Sequence, residues 1–356
     1  MSQVITMKAV AAQAGVTQAT VSMSLANNPR IPLATRERIQ AIARKLGYQP
    51  NPYVSTLMRI RRQGRPLKER PVVALVCALR RLDGWSKHPA ATIRQMREGA
   101  LERAAFRGYR AQEFWLHRDE MSNERFSEML HARGIQGLLI SPLAEGDQPP
   151  ALHWEYFAAV SLSVPLPALT VTTVCNDHYF SSLQAARECH RRGYRRVGMV
   201  LRRTHQYRFQ GRWQAGALIA PSLLPGLALT EPLFVDDMHD DTRAILRWLK
   251  REKPDAIISP NCDTLLDILP GEGWRVPEDI GLAWLACTHL GHACSGIYQN
   301  GHLIGAMAID TLLSLVERHE RGLPEQATTV MIEGQWNEGT TLKPVPPIHA
   351  ENIDPR

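Results

Sequence analysis

TMKAVAAQAGVTQATVSMSLAN, residues 6–27, reads as two short amphipathic helices joined by a tight glycine turn. Thr6 is placed to cap the first helix, which runs from about Met7 to Ala14 with Val10, Ala11 and Ala14 on one face at helical spacing. Gly15 supplies the turn. Thr17 caps a second helix whose apolar Val21 and Leu25, four apart, pack back on the first. The opposite face carries Gln18, Ala19, Ser22 and Met23. In a helix-turn-helix, the early outward residues of the second helix meet base edges in the major groove. Two alanine-rich helices of a plain bundle would show the same pattern, so the residues that follow matter. Residues 33–46 predict a third helix, with Ile39, Ile42, Ala43 and Leu46 on its inner stripe and Gly47 as its stop. Three such helices close a small core. Tyr48 to Pro52 then breaks the pattern, and NPYVSTLMRIRRQGR begins a short segment that ends in arginines.

Charge points the same way. Residues 1–70 hold 12 Lys and Arg against only Glu37 and Glu69, a net of +10 in a chain whose formal charge is +7. The remainder is therefore slightly acidic, at −3. Basicity confined to one end suits phosphate binding by that end rather than a uniformly basic surface.

TMKAVAAQAGVTQATVSMSL, followed by TRERIQAIARKLGYQPNP and Leu57, resembles the head and hinge of LacI/GalR-family transcriptional regulators. The resemblance implies that Thr6, Thr17, Gln18, Ala19, Ser22, Met23 and Asn27 face double-stranded operator DNA. It further implies a hinge helix that pairs with that of a second copy and drives Leu57 into the minor groove, trading unstacking for a bent duplex. A homodimer is expected, because one head contacts only a half-site. The tail from Lys343, KPVPPIHAENIDPR, is rich in proline and polar residues and lacks the leucine heptads of a helical tetramerising tail.

From Pro71 the texture changes to apolar runs alternating with amphipathic helices, beginning with the buried-strand candidate Val72–Leu79. Further strands are predicted near 109–116, 135–140, 157–163, 196–201, 255–259 and 280–286. Helices are predicted near 93–107, 123–132, 178–191, 208–219, 240–252 and 303–321. Strand, helix, strand order requires a mostly parallel sheet with right-handed crossovers, and so long a series suits two sheets better than one.

Here the resemblance continues through DHYFSSLQAARECHRRGYRRVGMV (177–200), Arg208 to Gly211, PDAIISPNCD and RVPEDIGLAWL. It implies an α/β, periplasmic-binding-protein-like core of two parallel-sheet lobes behind the all-α helix-turn-helix head. The chain would cross between lobes near 174–177, 297–303 and 322–331, with an effector in the cleft, where ligands of open α/β sheets bind beyond the carboxyl ends of the strands. Position by position, the resemblance carries effector contacts onto Arg208, Asn261 and Gln299, with Asp263 a weaker neighbour. Acidic residues that sugar-binding members use are replaced here by Ser163 and Ala286. A methyl group cannot accept sugar hydroxyls, whereas an arginine without nearby acids suits an anionic ligand through bidentate bonds.

The N-terminus lacks an apolar signal region, and no run approaches the roughly 20 apolar residues of a membrane span, so a cytoplasmic protein with no membrane partner is expected. Cys77, Cys175, Cys189, Cys262, Cys287 and Cys294 form no C-x-x-C pair and lie mostly in apolar segments, as reduced core residues do. His289 and His292 have ligand-like spacing but no second pair, so no metal is indicated. Phosphate-loop, nucleophile-elbow, zinc-protease and dinucleotide motifs are absent, and neither catalysis nor a cofactor is expected. The expected organisation is a DNA-binding head over 1–50, a hinge helix and linker over 51–67, a two-lobed core over 68–343 and a flexible tail over 344–356. Within the core, lobe 1 takes about 71–174 plus 300–325, and lobe 2 about 175–299 plus 326–343. The leading function is an effector-controlled repressor. The alternative is a DNA-binding regulator with a vestigial cleft, controlled by a protein partner or DNA architecture.

Overall fold

Three helices open the chain: α1 (Met7–Ala14), α2 (Gln18–Leu25) and α3 (Leu33–Leu46). The structure, a computed structural model, describes residues 7–25, 31–46, 48, 70–117, 121–143, 147–162 and 169–346. Gly15 adopts φ 66°, a conformation that side chains resist, and this lets Val16 N bond back to Ala11 O at 3.1 Å. Val10, Ala11, Ala14, Val21, Ile39 and Ala43 form the buried core of the three helices. Two side chains of α3 satisfy carbonyls at the ends of the other helices, Arg38 Nη1 donating to Ala14 O at 3.0 Å and Gln40 Nε2 to Ser24 O at 2.9 Å.

Beyond Arg70 the chain builds two α/β lobes. The first contains β1 (Val72–Cys77), α4 (Ala91–Phe106), β2 (Arg110–Trp115), α5 (Asn123–Ala132), β3 (Gly137–Ile140), β4 (Ala158–Leu162) and β5 (Thr172–Asn176). The second contains α6 (His178–Arg191), β6 (Arg196–Arg202), α7 (Arg203–Arg208), α8 (Arg212–Leu223), β7 (Ala228–Leu229), β8 (Leu233–Val235), α9 (Thr242–Glu252), β9 (Ala256–Ser259), α10 (Asp263–Ile268), β10 (Gly281–Cys287) and β11 (Gly296–Tyr298). The chain then returns through α11 (Gly301–Arg318) and β12 (Thr329–Ile332) to the first lobe, and ends on β13 (Gln335–Asn337) in the second. The first sheet is wholly parallel, in the order β12-β5-β4-β3-β1-β2. The second runs β13-β11-β10-β9-β6-β7 with β8 also on β6, and only β13 is antiparallel to its neighbour.

Short continuous apolar runs make the central strands, because helices cover both faces of each sheet. In lobe 1, α4 and α11 cross with almost no side chain between them. A Cβ on Gly305 would stand 1.9 Å from Met96 O, and one on Gly99 would stand 2.0 Å from His302 O. Asp310 of α11 is clamped by Arg103 of α4 and by Arg107 just after it. In lobe 2, Gly216 plays the same part, bringing α8 against Tyr179 O of α6. Asp177 caps α6 by accepting Phe180 N at 2.9 Å. All six cysteines are buried and free.

The sequence-based boundaries need correction at two places. The third crossing between lobes falls after Ile332, not within 322–331, because Thr329–Ile332 pairs in parallel with β5 on the edge of the first sheet. Residues 329–332 and 175–176 therefore belong to lobe 1. As an edge strand with alternating partial exposure, β12 lacks the apolar run that reveals a central strand. The helix expected over 208–219 is instead two helices, α7 and α8, broken where Gln210 and Gly211 take φ 51° and 68°.

Candidate nucleic-acid interface and ligand cleft

On the head, Thr17 Oγ1 accepts Thr20 N at 3.1 Å, so α2 starts where its spacing predicts. Val21 is fully buried and Leu25 packs against the core, which commits the opposite face of α2 to solvent. Gln18 and Thr17 are exposed, and Met23 is half-buried. Ala19 and Ser22 lie within α2, while Thr6, Asn27 and Leu57 fall outside the described residues. Lys8, Arg44 and Lys45 are exposed cations on the same three-helix unit. The last two also sit in the final turn of α3, where a positive charge complements the helix dipole.

In the core, the carboxyl ends of the two sheets face each other. Gln95 Nε2, at the start of α4, donates to Thr288 O just after β10 at 2.7 Å. Arg208, at the end of the short helix after β6, lies close enough to His88, in the loop after β1, to depress its basicity. Burial acts first on His88, followed by the charges of Arg208 and Arg94. Arg208 is thus placed between the lobes. Asn261 follows β9, the next strand in the second sheet, and is exposed, with its Oδ1 accepting Asp263 N at 2.7 Å. Asp263 is exposed as the first residue of α10. Gln299 follows β11 but is only 6% exposed, its Nε2 donating to Leu285 O at 2.9 Å, so that amide nitrogen fastens the end of β10. Ala286 is half-buried, and Ser163 falls outside the described residues.

Sequence reasoning missed an aromatic cluster behind Arg208. His178 of α6 stacks on Phe209, with centroids 4.3 Å apart and 25° between planes, and meets Trp213 edge-on at 5.2 Å. His205 lies 5.7 Å from Phe209 and 5.6 Å from Trp213. Burial, helped first by Arg212, pushes His178 down to about 3; burial, helped by Arg202 and Arg208, takes His205 to about 4. Both rings are therefore neutral near pH 7. His178 Nδ1, His205 Nδ1 and Trp213 Nε1 have no hydrogen-bond partner among the described residues. The signal was present in His205-Gln-Tyr-Arg-Phe-Gln-Gly-Arg-Trp213, where aromatic and cationic residues interleave.

Several carboxylates near this edge are already paired. Asp147 is paired with Arg80 at 2.6 Å, Asp237 with Arg202, Asp236 with Arg203 at 3.4 Å, and Asp83 with Lys87 at 2.9 Å. Arg94 donates instead to the carbonyls of His88 and Pro89, and Arg212 Nη1 rests on Met331 Sδ at 3.5 Å. Among the described residues, neither Arg94 nor Arg212 meets a carboxylate. These two guanidinium groups can take a small anion without breaking a carboxylate pair of their own.

Comparison with known proteins bears on both ends. Residues 6–51 match the family model of bacterial regulatory proteins, lacI family. The HTH-type transcriptional repressor CytR of Escherichia coli (strain K12) is 24% identical over 342 residues, covering 89% of this chain and 91% of that protein. Among solved structures, the transcriptional regulator CelR in complex with cellobiose aligns with a TM-score of 0.58 at 21% identity, over 95% of this chain and 99% of that one. The lac repressor dimer bound to operator and the anti-inducer ONPF aligns with a TM-score of 0.54 at 17% identity, over 96% and 100%. At these identities the structural matches establish a shared fold: a helical head followed by a two-lobed, periplasmic-binding-protein-like core.

Proposed function

We propose, from a lacI-family head carried on a core of the fold that solved family members share, that this protein is a homodimeric, DNA-binding transcriptional repressor controlled by a small anionic molecule in its cleft. It acts in the cytoplasm, where its operator lies, and is not an enzyme. The observation that carries the reading is the coincidence of the helix-turn-helix with the +10 segment. A positive end supplies affinity by releasing counterions from phosphates, and α2 supplies the base contacts. Residues 1–50 form the head, 51–67 the hinge helix and linker, 68–343 the core, and 344–356 a tail.

On this reading Gln18 pairs with adenine N6 and N7, Ala19 touches a thymine methyl, and Thr17, Ser22 and Met23 complete the face of α2. Thr6 and Asn27 hold the backbone register, while Leu57 wedges open the central base step. In the cleft, Arg208 takes the anion, with Asn261, Asp263 and Gln299 around it. An effector changes DNA affinity only if it binds the DNA-competent and DNA-released arrangements of the lobes differently.

A fragment beginning at Lys68 tests the assignment of the head, and is expected to lose operator binding; retention of full affinity would refute it. For the effector, thermal shifts against a panel of metabolites, repeated with operator DNA present, should single out compounds whose effect differs between the two conditions. A panel containing no such compound would favour control by a protein partner over control through the cleft.

A further inference from the structure

Resting on the effector-cleft reading above, the aromatic and cationic groups that meet at α7 and α8 narrow the class of ligand. We infer that the cleft takes a planar aromatic carboxylate, its carboxylate set against Arg208 and Arg212 and its ring against the aromatic surface built on Phe209.

Three observations carry this. The first is the proximity of charge and ring: Arg208 Cζ lies 5.8 Å from the centroid of Phe209, and Phe209 is itself backed by the stacked ring of His178. A ligand whose anionic head reaches Arg208 therefore has its next atoms beside an aromatic surface, and rings prefer offset-stacked or edge-to-face partners at such spacings. Tyr207, the residue before Arg208, is 84% exposed, a large aromatic left in water at the carboxyl edge of the sheet.

The second observation is the set of unpartnered nitrogens. His178 and Trp213 are each only 4% exposed, yet His178 Nδ1 and Trp213 Nε1 have no partner among the described residues, and the same holds for His205 Nδ1. Three orphaned polar atoms in one cluster call for a missing partner, because buried polar groups are almost always hydrogen-bonded. The indole N–H of Trp213 can only donate, so a carboxylate oxygen meets its need, whereas the His178 ring already donates to the backbone of Asn176 and its other nitrogen asks for a donor. The third is the balance of charge: Arg212 has a thioether rather than a carboxylate against it, and Ala286 offers no acceptor for the hydroxyls of a sugar.

Titration calorimetry on the full-length protein with three matched probes separates this inference from the reading beneath it. The probes are benzoate (planar and anionic), cyclohexanecarboxylate (the same charge without the aromatic face) and benzamide (the same ring without the charge). Benzoate is expected to bind about 2- to 12-fold more tightly than cyclohexanecarboxylate, the range that stacking supplies, and benzamide much more weakly than either. Phe209→Leu should erase the preference for benzoate over cyclohexanecarboxylate. Should that variant fail to fold by circular dichroism, the comparison in the unsubstituted protein still decides. Equal binding of the two carboxylates would overturn the aromatic inference and leave the anionic cleft standing. Equal binding of benzoate and benzamide would overturn the anionic reading itself, and no binding by any of the three would overturn both.

Discussion

Replacing Ile39 with Ala should weaken operator binding at least tenfold without touching a residue that faces DNA. Ile39 is fully buried in α3, among Val10, Ala11, Ala14, Val21 and Ala43. Truncation removes three carbons, worth about 2.4 kcal/mol at roughly 0.8 kcal/mol each. The cavity left behind brings the usual total to about 2–5 kcal/mol. Against this stands a three-helix unit spanning residues 7–46, whose stability at about 0.05–0.15 kcal/mol per residue is roughly 2–6 kcal/mol. One side chain therefore matches most of what keeps α2 in place, while the two lobes, with cores of their own, lose nothing. Calorimetry should show the main thermal transition at its original temperature, and a mobility-shift assay should show operator affinity falling at least tenfold. Parent-like affinity in Ile39→Ala would mean that the helices are not held by this core, and the packing argument would fail.

Other expectations follow from the same structure. Met23→Arg should shift the preferred half-site base toward guanine in a selection experiment, because arginine adds a bidentate contact worth about 1–3 kcal/mol, whereas Met23→Ala should cost little. Loss of specific binding in Met23→Ala would make Met23 an anchor instead. Leu57→Ala should reduce operator bending measured by FRET, and unchanged bending would remove the wedge role. Gly216→Ala places a methyl 2.1 Å from Tyr179 O, so it should destabilise lobe 2 by about 1–3 kcal/mol in urea unfolding, and an unchanged midpoint would contradict the α6–α8 packing. His178 is neutral in the fold and pushed down to about 3, so its contribution is complete above the ordinary histidine value of about 6.5 and is lost as pH falls from there toward the folded value. His178→Phe should flatten the acid limb of a stability–pH curve; an unaltered limb would place that proton uptake elsewhere.

The head was readable because its signals are local. Cap, glycine turn and apolar spacing all lie within 6–27, and α1 and α3 begin and end where that spacing puts them. Central strands such as β1, β3, β4 and β9 announced themselves as apolar runs, since both of their faces are covered. The strands that went unseen are β7, β8, β11, β12 and β13, which are short or at an edge and depend on a neighbour far along the chain, and β5, an interior and fully buried strand whose TTVCN makes no apolar run. The cleft shows the same division. Arg208 could be singled out from its motif, yet its company could not. His88 lies 120 residues earlier, and the stack of His178 on Phe209 joins α6 to the residue just after α7, beyond β6. Gln299 illustrates the limit from the other side, for nothing in its position told that its amide is spent on Leu285 O.

The threading of the chain through its lobes has a consequence for how the protein is made. Lobe 1 begins first, with β1 to β5, but its central covering helix, α11, is encoded beyond the whole of β6 to β11. At about 5–20 residues per second, the ribosome needs roughly 6–25 s to travel from Asn176 to Gly301. Throughout that interval the surface that Ile304, Ala308, Ile309, Leu312 and Leu313 will cover has no covering helix, and by its end the second lobe lacks, of its strands, only the antiparallel edge strand β13. The first half to leave the ribosome thus waits for nearly the whole of the second before it is covered, and it is the nascent lobe 1 that chaperones would have most reason to hold.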